Sequence, residues 1–187
     1  MGFNNFMKAI QGILGAATAK SDESSVGVKD RICWHPRWEI EKYDTDESLK
    51  MGIPDEVLVI NGNLLLNEGI TELLKLLAGN GTATAFSAAN AQIGVGNSNA
   101  AESASQTGLQ GASKAFAAMD DGYPAISNQT ITYQGTFGAD DANFAWEECT
   151  VVNGADDTAV NLNRKTQPMG TKLTGTTWVA RLIITLS

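Results

Sequence analysis

His35 is the one histidine of the sequence, two residues from Cys33 in the run ICWHPRWEIEKY (Ile32 to Tyr43). An imidazole-activated nucleophile or a multi-histidine metal centre would have to be built around it. On a strand Cys33 and His35 share a face. Tetrahedral zinc needs two further ligands, and beyond Cys149 the sequence offers only carboxylates. These residue types fit a histidine on an edge strand among tryptophans better than a ligand or a triad partner. Cys33 and Cys149 are the only cysteines. They could pair, but nothing local requires it, and two semi-buried free thiols made in a reducing cytoplasm are the simpler expectation.

The carboxylates also stop short of a site. Asp120-Asp121, Asp140-Asp141 and Asp156-Asp157 each lie beside a turn glycine. Calcium gathers six to eight oxygens, and adjacent residues rarely both face one ion, so solvated turn acids are expected. Glu147 and Glu148 alternate across a strand, which sends one toward solvent and the other toward a polar contact rather than pairing them across a sugar-cleaving cleft. IGVGNSNA (Ile93 to Ala100) has glycines but no Lys-Ser/Thr ending and no following helix, so it reads as a strand entering a loop, not a phosphate cradle. Trp34, Trp38, Trp146 and Trp178 could stack on sugars, yet Phe144 and Trp146 alternate onto one strand face as a core pair would.

Charge excludes a further class. The 187-residue chain carries a net charge of -8 spread over both halves, leaving no footprint for counterion-releasing nucleic-acid binding. Only 18% of its residues are charged while 43% are apolar. A neutral polar surface suits broad contact more than long-range steering. The opening MGFNNFMKAIQGILGAATAK lacks the basic leader of a signal peptide and is too short and interrupted to span a bilayer. Phe6 occupies the place where a myristoylation signal wants Ser or Thr. No nucleic acid, membrane or cofactor is expected.

The elements that must position these groups follow from periodicity. Phe3, Phe6, Met7, Ile10, Ile13, Leu14 and Ala17 recur at spacings of three and four, a helical stripe weakened by Gly12 and Gly15. SDESSVG (Ser21 to Gly27) follows as a linker. Residues 1–27 therefore form a helical arm, either an anchor onto a partner or neighbouring subunit or an extra helix on the chain's own core, and residues 28–187 form the main domain. Within it LLLNEGITELLKLLAGNG predicts one internal helix with Leu66, Ile70, Leu73, Leu74 and Leu77 on one face, Asn67 or Thr71 as a cap and Gly79 as a stop. Ile32–Tyr43, Glu56–Ile60, Ala91–Val95, Lys114–Met119, Thr130–Phe137, Phe144–Val152 and Thr176–Leu186 read as strands, with Pro36 confining the first to an edge or bulge. The class is mainly β, an antiparallel β-sandwich of jelly-roll type.

From about Asn61 to Ser187 the succession NGNLLLNEGITELLKLL, NAQIGVGNS, TGLQGASKAFAAMDDGYP, ITYQGTFGADDANFAWEECTVVNG, LNRKTQPMGTKLTGTTW and IITLS resembles a family of tailed-bacteriophage virion structural proteins. The resemblance covers the C-terminal two thirds, and Met1 to Asp55 stands outside it. It implies a β-sandwich component of the particle, a decoration, head-fibre or tail-associated protein without catalytic residues. Arg164, Lys165 and Lys172 would then flank a loop before the final strand and make polar contacts to another subunit or the shell. The expected role is a non-enzymatic decoration or cement protein on the capsid exterior. It would bind the major capsid protein or another virion protein and self-associate, a trimer being the favoured form. The alternative is a fibre or tail-associated receptor- or glycan-binding module that uses exposed tryptophans.

Overall fold

The computed structural model describes residues 32–187. The arm of residues 1–27, with Phe3, Phe6, Met7, Ile10, Ile13 and Leu14, lies outside the described residues. In chain order the elements are β1 (Trp34–Tyr43), α1 (Asp46–Met51), β2 (Glu56–Asn61), β3 (Leu64–Leu65), α2 (Asn67–Leu77), β4 (Gln92–Gly96), β5 (Lys114–Ala118), β6 (Ala125–Ser127), β7 (Thr130–Phe137), β8 (Ala145–Val152), β9 (Asn163–Thr171) and β10 (Thr177–Leu186). The protein is mainly β, with two antiparallel five-stranded sheets ordered β2-β1-β10-β7-β6 and β3-β9-β8-β4-β5.

Alternation builds the shared core. On β10, Trp178, Ala180, Leu182 and Ile184 are buried, as a two-residue period dictates for one face of a strand. They register with Lys42, Ile40, Trp38 and Pro36 of β1. Ile93 and Val95 of β4, with Trp146, Cys149 and Val151 of β8, join the same cluster from the second sheet. Trp146 is its hub: its ring meets Phe137 and Trp178 edge-on, each at 4.8 Å between centroids. Edge-to-face contacts of this kind add about 0.5–1.5 kcal/mol beyond the buried area.

Three expectations are corrected. β1 is not an edge strand, because β2 and β10 flank it. Pro36 is tolerated since β2 pairs only from Arg37 onward, and the Pro36 carbonyl accepts from Gly62 N–H just past that ladder; its missing donor faces the turn. A second helix, α1, follows β1, with Thr45 and Ser48 in a reciprocal capping box that satisfies its first N–H groups. Finally, α2 forms as expected, but Leu66 is its N-cap without a side-chain bond, and its buried positions are Gly69 and Glu72. Ile70, Leu74 and Leu77 are exposed.

Close approach explains that rotation. A methyl group on Gly69 would stand 2.3 Å from the Leu162 carbonyl oxygen and 2.7 Å from Leu162 Cα. The N–H of Leu66 donates to that same Leu162 carbonyl, and Glu68 accepts from Asn161 N–H at 2.8 Å. Backbone contact at Gly69, together with Leu73 and Leu76 packed against the core, seats the helix and leaves Ile70, Leu74 and Leu77 outside. Gly69→Ala should therefore lower the melting temperature in thermal denaturation even though alanine raises helix propensity by about 1 kcal/mol; an unchanged or raised value would refute the close-packing account.

Candidate interaction surface

The resemblance implies that Arg164 and Lys172 face another subunit or the shell, and the structure corrects this. Arg164 is fully buried and Lys172 nearly so. Both belong to the stretch NRKTQPMGTK, which runs as β9 into its following residue rather than as a loop. The Arg164 Nε donates to Glu148 at 2.7 Å, and its Nη1 donates to the Ala100 carbonyl and to Gln106, each at 3.0 Å. Glu148 also accepts from Gln110 N–H at 2.9 Å and Gly111 N–H at 2.6 Å. One buried ion pair thus fastens the 97–113 connection onto the sheet face turned away from the core.

Glu148 reaches that position because the β8–β9 register slips between Trp146 and Glu148. Without the slip, an even spacing would turn both toward the core. Gly96 and Gly111 leave it room, since a Cβ on either would come within 3 Å of its carboxylate. Lys172 donates to the Gly138 carbonyl at 2.6 Å and to Asn143 at 3.0 Å, closing the β7–β8 connection. Burial pushes its ammonium pKa down, with Asp141 and Asp140 opposing. Lys165 is the member of the cluster that keeps some exposure, 18%, and it lies 3.9 Å from Glu102.

The other candidate groups are dispersed. His35 Nε2 pairs with Ser187 Oγ at 3.0 Å. Cys33 is exposed, Cys149 is buried, and both are free thiols; burial pushes the Cys149 pKa well up. Asp120 accepts from Gln134 and Thr136, Asp156 from Thr158, and Asp157 pairs with Lys114. Among the described residues no group of three His, Cys, Asp or Glu is placed to hold a metal, and no helix is long and apolar enough to cross a membrane. Trp38, Trp146 and Trp178 are core. Trp34 alone is half-buried and borders two depressions.

The first depression, about 580 Å³, is lined by Trp34, His35, Arg37, Asn61 and Thr185 among others. The second, about 550 Å³, is an apolar groove between the leucines of α2 and the ends of β1, β7 and β10, with Ile32 and Ile126 on its rim. Its floor includes Tyr133, Leu162 and Ile184, which belong to the core cluster. Periodicity places Leu73, Leu74 and Leu77 on one helical face. The groove, by contrast, is assembled from five separate segments, and no local pattern announces such a surface.

No protein-family model matches the chain, no curated protein matches its sequence and no solved structure matches its fold.

Arg164→Met strands the Glu148 carboxylate without its cation, and a loss of about 3–5 kcal/mol is expected in urea unfolding; a loss below about 1 kcal/mol would show the pair to be dispensable. A second ion pair carries a pH signature. Burial raises the Glu41 pKa, but hydrogen bonds from Arg181 and Tyr43, with the Arg181 charge, outweigh it and hold the carboxyl below its ordinary value of 4.5. A lowered folded-state pKa stabilises above the unfolded value and ceases to do so as pH falls through the folded one. Glu41→Gln should accordingly melt below wild type at pH 7, the gap closing in melts taken progressively under pH 4.5. A gap independent of pH would contradict this.

Proposed function

We propose that the protein is a non-enzymatic structural component of a tailed-bacteriophage particle, acting as a decoration or cement protein on the capsid exterior. The observation that carries this reading is the ordered succession of segments from Asn61 to Ser187 and its resemblance to virion structural proteins. The two sheets would then be a jelly-roll-like sandwich, and the protein would act as a symmetric homo-oligomer against the major capsid protein or another virion protein. Residues 1–27 would help to hold it or its neighbours in place. Weak contacts repeated over a lattice add through effective concentration, so no single strong site is required.

Two features of the fold are compatible with contact rather than turnover. Cations and carboxylates are spent on fastening loops, as Arg164, Lys172, Glu148 and Glu102 illustrate. Large apolar side chains nevertheless remain in water beside α2. The hollow at Trp34, His35, Arg37 and Asn61 favours a second reading, a fibre or tail-associated receptor module whose indole and polar groups meet a sugar.

One experiment separates the two. Purified full-length protein, and a version starting at Val28, are added to capsids lacking the protein, and the particles are imaged. Regular occupancy of symmetry-related sites, lost without the arm, is expected. Density confined to the tail or one vertex, or no capsid binding together with glycan binding abolished by Trp34→Ala, would transfer the role to the receptor module.

A further inference from the structure

The groove beside α2 combines two kinds of relief on one face. Leu74 and Leu77 protrude from the helix at 60% and 86% exposure, and Ile126 stands on the opposite rim at 76%. Between them the surface descends to Tyr133, Leu162 and Ile184. We infer that this face is an interface between two copies of the chain related by a two-fold axis, with the α2 leucines of each copy seated in the groove of the other.

Three observations support that occupant. A two-fold interface uses the same patch twice and must be self-complementary. Ridge and groove lying side by side on one face satisfy this, whereas a ring or filament would need two different faces. Area points the same way. Ile32, Leu74, Leu77, Ile126 and Leu186, each 40% to 86% exposed, together present on the order of 400–600 Å², at the upper end of what a monomer shows to water. With the polar rim of Asn128, Gln129 and Thr130, the patch approaches the roughly 800 Å² per partner that a stable pair buries. Composition is the third. Among the described residues that line the groove none is charged, so pairing strips no ion of its water, and depletion of charge is what marks the centre of an interface. The inference goes beyond the proposed role and holds whether or not the protein belongs to a particle.

Sedimentation of the full-length chain over a concentration series should give a two-chain species. Leu77→Glu and Ile126→Lys lie at exposed positions, so each should keep the native circular-dichroism spectrum while weakening association by at least about tenfold. Mixing the two variants in equal amounts should restore pairing. The mixed pair keeps one native Leu77–Ile126 contact and converts the other into opposite charges. Should a charge disturb folding, Leu77→Ser serves for the ridge. A monomer at every concentration, a three-chain species, or pairing that survives both charges would overturn the two-fold interface and leave the groove to another occupant.

Discussion

Glu148 and Arg164 are both fully withdrawn from solvent, and the second sheet's outer side is organised around them. Removing two charges from water costs several kcal/mol per ion, so attraction alone would not justify the pair. Its use lies in what else the two groups hold. The carboxylate takes two consecutive backbone N–H groups at Gln110 and Gly111, and the guanidinium takes carbonyl and amide oxygens at Ala100 and Gln106. A connection with little regular structure thereby gains a defined path, and its buried backbone groups gain the partners they need. The register slip in β8–β9 and the glycines at 96 and 111 exist in the service of that arrangement.

The same device recurs along the chain. Glu72 accepts from Thr84 N–H, Glu102 from Thr166 N–H, Glu68 from Asn161 N–H, and Lys172 ties the turn after β7. A protein with so few charged residues uses many of them as internal fasteners. Outside, exposed acids such as Asp44, Asp46, Glu47, Asp121 and Asp140 stand among uncharged polar side chains, interrupted by the apolar groove. A groove with no charged lining residue is suited to contact through shape and dehydration rather than to long-range attraction.

Much of the β framework was legible because burial on one face imposes a period of two: β7 and β10 stand close to where alternation put them, as do β4, β5 and β8. β9 was not, since NRKTQPMGT mixes buried asparagine and arginine with proline and glycine, and its inward residues are polar on one side and apolar on the other. The helix was legible and its orientation was not. Periodicity reports a stripe, but Gly69 decided which side met the sheet, and that depended on Leu162 more than ninety residues away. The basic residues failed for a related reason. A local reading cannot see that Glu148, Ala100 and Gly138 converge to enclose Arg164 and Lys172.

β10 occupies the middle of its sheet, hydrogen-bonded to β1 on one side and β7 on the other. Trp34 registers with Leu186 and Tyr43 with Thr177, so the sheet's central seam joins residues separated by most of the domain. During synthesis β1 emerges long before its partner, and hydrophobic Trp38 and Ile40 must wait for the strand carrying Leu182 and Ala180 to leave the ribosome.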